Sequence, residues 1–142
     1  VSGTGKFSKE RGRLEWPKGG KVASLFGRQK HPKFDTMIYR KGIEIAPSRG
    51  SEVRSVYDGT IVYADWFRGY GLVIIIDHGE NYYSLYAHLN KVLVSVGDMV
   101  KKERMIGEVG KTGLSRDPKL YFEIRHEGEP VNPLVWLQKR RG

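Results

Sequence analysis

Glycine-led turns cut this chain into runs too short for ordinary helices and long enough for strands. The breaks fall at Gly50-Ser51, Gly59, Gly69-Tyr70-Gly71, His78-Gly79-Glu80-Asn81 and Gly97-Asp98. Glycine makes up 18 of the 142 residues, nearly double the usual ~7%, which favours turns and β structure. Between the breaks, strands are expected over residues 22–26, 37–46, 52–56, 59–66, 72–77, 82–89, 92–96, 100–109 and 119–126. The apolar run 72–77 has the character of a central buried strand. Residues 27–36 read as a basic loop and residues 47–50 as a closing turn. A short helix fits only in 134–139. The pattern predicts an all-β sandwich or barrel-like fold.

Alternation assigns faces. In 82–89, Tyr83, Leu85, Ala87 and Leu89 share one face, and Tyr82, Ser84, Tyr86 and His88 share the other. In 119–126, Leu120, Phe122 and Ile124 point inward, while Lys119, Tyr121, Glu123 and Arg125 point outward. Residues 1–15 are polar and aperiodic and are expected to be a linker or tail, so the folded domain is expected over 16–142.

Composition excludes several chemistries. There is no cysteine, so disulfides, thiolate metal sites and thiol catalysis are out. Lys+Arg 25 against Asp+Glu 16 gives a net charge of +9, a field that draws polyanions. No nucleic-acid reader motif accompanies it, so nucleic acid is not an expected partner. No apolar run is long enough to span a bilayer, so membrane insertion is not expected either. Val1 to Gly12 has no secretory hydrophobic region, which by itself says nothing of location.

A β-scaffold zinc hydrolase places ligands at even spacing on one strand face, beside an open water position. No two of the four histidines lie closer than ten residues, and there is no HExxH. No GxSxG elbow is present, and Gly69-x-Gly71 precedes no helix. From the residues alone, a binding module is favoured over an enzyme.

Several blocks then occur in a recognisable order: Arg40-Lys41-Gly42-Ile43-Glu44-Ile45, GTIVYAD, GYGLVIIIDHG, Tyr86-Ala87-His88-Leu89, VSVGDMVKKERMIGEVGKTG, Leu120-Tyr121-Phe122-Glu123-Ile124 and GEPVNPLVW. Together they resemble the LytM domain of peptidase family M23, the cell-wall zinc endopeptidases, from about Trp16 to Leu137. The resemblance implies an antiparallel β-sheet groove with short loops and little helix. Active members carry H-x-x-x-D, a histidine in a YxH strand and H-x-H before phenylalanine. The first His, the Asp and the last His hold zinc, and the other two histidines assist catalysis. Arg40 stands at the first ligand position, Glu44 at the Asp, and Lys119 and Tyr121 at H-x-H; only His88 is retained.

A guanidinium cannot ligate zinc, a phenol is a poor ligand at neutral pH, and Lys119 adds a second cation. The expected reading is therefore a site without metal or cofactor, with Glu44 as a salt-bridge partner of Arg40. The resemblance extends to the degenerate members that activate murein hydrolases in Gram-negative division. It implies a periplasmic module, mature or excised, whose groove docks a helix of an N-acetylmuramoyl-L-alanine amidase, with a preceding coiled coil linking it to the divisome.

The groove residues expected on this basis are Arg40, Lys41, Glu44, Trp66, Tyr70, Val73, Tyr86, His88, Lys119, Tyr121 and Arg125. Lys41 has opposite strand parity to Arg40 and Glu44. Trp66 and Tyr70 flank a turn where exposed aromatics suit a binding anchor. The alternatives are a zinc-dependent murein endopeptidase and a passive peptidoglycan-binding module. A biotin- or lipoyl-type carrier, suggested by residues 94–110, lacks the modifiable lysine at a hairpin tip.

Overall fold

The run expected to be the central strand becomes β7 (Gly71–Asp77) in a computed structural model that describes residues 6–31, 33–47, 50–110 and 117–139. Its neighbours are β6 (Gly59–Phe67) and β8 (Tyr82–Val92), both antiparallel to it. Beyond β8 come β11 (Leu120–His126), β4 (Ile43–Pro47) and β1 (Gly20–Ser24); beyond β6 comes β9 (Met99–Val100). β10 (Met105–Val109) pairs with β5 (Glu52–Arg54) and with the far end of β8, and β12 (Glu129–Val131) pairs with β11. The all-β antiparallel architecture follows from the turn spacing. Among the described residues the one α-helix, α1 (Pro133–Trp136), starts where the Asn132 side chain accepts the Leu134 N–H and proline fills the first turn.

Alternation holds along β11: Leu120, Phe122 and Ile124 are fully buried on the core face. They meet Ile43 and Ile45 of β4 and Tyr86 of β8 in one cluster that also takes Ile61, Ile74 and Ile76.

Five expectations change. Of 92–96 only Val92 is in a strand, as the end of β8, and the expected strand over 100–109 is two, β9 and β10, parted at Lys101 to Arg104. Residues 27–30 are not loop: β2 (Gly27–Lys30) pairs with β3 (Met37–Arg40) as a separate two-stranded hairpin. The expected single strand over 37–46 is therefore two strands, broken at Lys41-Gly42. Gly42 packs so closely on β11 that a Cβ there would collide with the Phe122 carbonyl oxygen. The residues taken for a tail are tied down from Lys6 onward. Phe7, in a single 3-10 turn (Phe7–Glu10), is fully buried between His78 (centroids 4.7 Å) and Trp136 (5.1 Å). Leu14, 1% exposed, bridges to Leu137. Burying one such side chain is worth roughly 1.5–3 kcal/mol, enough to hold a segment that has no periodicity of its own.

Residues 1–5 of the expected tail, Pro32 of the basic loop, 48–49 of the expected turn, 111–116 at the end of the VSVGDMVKKERMIGEVGKTG block and 140–142 lie outside the described residues.

Candidate partner-binding groove

The register of three strands sets the floor of the groove. Tyr121 of β11 lies opposite Glu44 of β4 on one side and Ala87 of β8 on the other. These side chains face away from the core, because Phe122 and Tyr86, one residue along, face into it. Next to Ala87 the strand changes parity. His88 adopts φ 63°, and the β7–β8 register shifts between Leu72 and Ile74. The bulge is clamped by the His88 N–H donating to the Tyr70 carbonyl (2.9 Å) and the Gly110 N–H donating to the His88 carbonyl (3.1 Å).

That bulge separates two residues that strict alternation puts together. His88 lines the groove, whereas Tyr86 is fully buried on the opposite face. The Tyr86 hydroxyl accepts the Val56 N–H at 3.1 Å and is hydrogen-bonded to Ser84 at 2.8 Å. Burial is the main reason its phenol is pushed up to about 12. Tyr86 is therefore a core residue, and its assignment to the groove is corrected.

Two cavities adjoin on this face. One, of about 380 Å³, is lined by Arg40, Lys41, Glu44, Tyr70, His88 and Tyr121 together with Ser24, Ile38, Tyr39, Gly42 and Gly69. The β2–β3 hairpin supplies the Ile38–Arg40 side of it. The other, of about 450 Å³, is an apolar trough formed by Val62, Tyr63, Phe67, Tyr70, Val73, Ile75, Tyr83, Leu85 and Arg125. Tyr70 belongs to both. Its ring stands 5.7 Å from Tyr121 and 5.7 Å from Phe67. Lys119 and Trp66 line neither cavity; Trp66 is 55% exposed.

Between the two cavities lies a residue the sequence pattern did not single out. Glu123 is fully buried, and its carboxylate accepts the Tyr121 hydroxyl at 2.5 Å and the Arg125 Nε–H at 2.6 Å. The signal for it was in the sequence: a carboxylate flanked at even spacing by a phenol and a guanidinium on one strand face. Burial, and then the Glu123 carboxylate, hold the Tyr121 phenol far above its usual range. The bond to Glu123 raises the Arg125 guanidinium further. Tyr70 is also pushed up, by burial first and then by Glu123.

The expected Arg40–Glu44 salt bridge does not form among the described residues. The break at Lys41-Gly42 puts the two residues in different sheets, so their shared parity no longer places them side by side. Glu44 instead accepts the Ser24 hydroxyl at 2.7 Å. The Arg40 Nε is buried and has no hydrogen-bond partner.

The residues at the family's zinc positions do not fit the metal. Arg40 has no lone pair to offer, Tyr121 is held as a neutral phenol donating to Glu123, and Glu44 is a single carboxylate. Among the described residues, no three His, Asp or Glu side chains converge as a metal-binding group.

The pattern of peptidase family M23 matches residues 39–133. The chain is 40% identical over 137 residues to the murein hydrolase activator EnvC of Escherichia coli K12, covering 96% of this chain and 32% of that protein. It is 42% identical over 126 residues to the murein hydrolase activator NlpD of the same organism, covering 88% of this chain and 31% of that protein. It thus spans about a third of the length of these relatives. A solved zinc-containing peptidase from Vibrio cholerae superposes with a TM-score of 0.78 at 28% identity, over 85% of this chain and 39% of that one. Both the fold and the order of the blocks along it agree, and the chain belongs to peptidase family M23.

Proposed function

We propose that this domain is a non-catalytic activator of a periplasmic N-acetylmuramoyl-L-alanine amidase, which it switches on by docking the amidase's regulatory helix in the groove. The observation that carries the reading is the state of the family's zinc pocket. Its ligand positions hold a guanidinium, a phenol tied to a buried carboxylate and one lone acid, yet the pocket stays open and shares Tyr70 with a neighbouring apolar trough. A groove that has lost its metal chemistry but kept its apolar wall suits an amphipathic helix, whose apolar face fits Val73, Ile75 and Leu85. The names of the two relatives, both murein hydrolase activators, support the same reading.

The mechanism is a population shift. The amidase occupies an occluded state closed by its own helix, and the groove binds that helix in the displaced state. Stimulation is bounded by the differential affinity for the two states. Coupling to division through an N-terminal coiled coil, and contact with peptidoglycan through the net charge of +9, belong to the same proposal.

The test is release of dye from labelled murein, with zinc present, by the domain alone, by a purified periplasmic amidase alone and by both. Strong release only by the pair is the expected result. Release by the domain alone, lost on chelation, revives a zinc endopeptidase. Salt-sensitive binding to sacculi with no stimulation leaves a passive peptidoglycan binder.

A further inference from the structure

The pocket that no longer suits zinc has acquired the opposite preference. Arg40 and Lys41 line it against a single carboxylate, Glu44, which is already engaged by Ser24 at 2.7 Å. The Arg40 Nε is buried and has no acceptor, and Arg40 enters no ion pair among the described residues. No carboxylate of the described residues neutralises this guanidinium, so its charge is left for a ligand oxygen that enters the pocket it lines.

We infer that this pocket is a carboxylate-binding subsite, in which Arg40 and Lys41 receive an Asp or Glu side chain of the protein segment lying in the adjoining apolar trough. Tyr70 lines both cavities, so they lie side by side and one extended ligand can reach across both. Such a ligand is apolar along one stretch and acidic at one end. That describes an amphipathic protein segment better than a cell-wall peptide, whose small polar units would leave Val73, Ile75 and Leu85 uncovered. Where zinc in an active relative would attract an oxygen ligand, a fixed organic cation takes over the attraction without the chemistry. The identity of the segment rests on the activator reading; the anion preference of the pocket does not.

The test has two arms, so that the two ideas can fail separately. In the first, the whole 142-residue chain is labelled with nitrogen-15 and its arginine Nε–H resonances are followed during titration with sodium acetate, with sodium chloride at matched ionic strength as control. Arg40→Lys identifies the Arg40 resonance. A saturable shift of that resonance with acetate and not with chloride is expected. In the second arm, stimulated dye release is measured against domain concentration for the unmodified chain and for Arg40→Gln. The half-maximal concentration is expected to rise about tenfold or more. Either an Arg40 resonance indifferent to acetate or a half-maximal concentration unchanged by Arg40→Gln overturns the inference. If the unmodified chain stimulates no amidase, the activator reading fails and the acetate arm alone decides the subsite. That arm uses the unmodified protein and is not confounded by a variant that folds poorly.

Discussion

On the core side of β7 and β8, His78, Ser84 and Tyr86 form a hydrogen-bonded chain closed off at both ends by backbone, at the Asp58 carbonyl and the Val56 N–H, whereas on the groove face of β11 the chain Tyr121, Glu123, Arg125 ends at the surface. In the first, His78 Nδ1 lies 2.8 Å from the Asp58 carbonyl and Nε2 lies 2.6 Å from the Ser84 hydroxyl, which reaches Tyr86. A carbonyl only accepts, so the proton sits on Nδ1 and Nε2 accepts from Ser84. All three side chains are at most 2% exposed. In the second, the carboxylate is as deeply buried, but both partners continue into the cavities, and a third of the Arg125 side chain is exposed. Each network satisfies a buried polar group. The closed one holds the sheet to its core, and the open one presents a phenol and a guanidinium at fixed positions to whatever enters the groove.

The two faces differ most in how they respond to loss of Tyr86. Tyr86→Ala removes a fully buried ring and the acceptor of the Val56 N–H, and should cost about 3–5 kcal/mol in urea unfolding. Amidase stimulation per folded molecule should stay unchanged. A variant that kept its stability and lost stimulation would return Tyr86 to the groove and abolish the distinction between the faces.

Tyr86 also shows where sequence reasoning reached its limit. Period-two alternation located the long central strands and sorted the residues of β11 and of β8 as far as Ala87, because those stretches are regular and buried on one face. A single left-handed residue, His88, then moves the rest of the strand to the other parity, and no composition signal at a histidine announces that. The same limit applies at Lys41-Gly42, where the break turns an expected ion pair into two separately placed charges. Phe7 was invisible for a different reason: one aromatic in a polar segment has no period to detect. Glu123 was placed on the correct face but passed over, since alternation says which way a side chain points and not how deeply its neighbours cover it.

A smaller effect separates the faces by pH. His78 is held neutral by burial, its pKa lowered from 6.5 to about 4. Its folded pKa lies below the unfolded value, so the unfolded chain binds the extra proton first. The contribution of neutral His78 to stability is complete above about pH 6.5 and is lost as pH falls through about 4. The loss amounts to about 3 kcal/mol from this one group. Urea unfolding across that range should show the decline, and His78→Gln, although less stable at neutral pH, should show a flatter profile. An unchanged slope in the variant would mean that the core-face chain does not depend on a neutral imidazole.

The smallest change in stability, and the most informative for function, is expected at Glu123. Glu123→Gln keeps the size and one acceptor oxygen but removes the charge. The Tyr121 hydroxyl and the Arg125 Nε–H must then compete for a single oxygen, while the new amide NH2 faces a cation. The stability cost should be about 1.5 kcal/mol, because Arg125 can turn toward water and recover part of what it loses. Stimulation should fall further than stability does, since Tyr121 and Arg125 are freed from their fixed positions at the junction of the two cavities. Glu123 touches no ligand in this account, so its effect should raise the half-maximal domain concentration and leave the maximal stimulation in place. Glu123→Asp, which keeps the charge one methylene shorter, should recover part of the affinity. If Glu123→Gln lowers stability and leaves the half-maximal concentration where it was, the groove-face network holds the sheet together in the same way as the core-face one, and the two faces do not differ in kind.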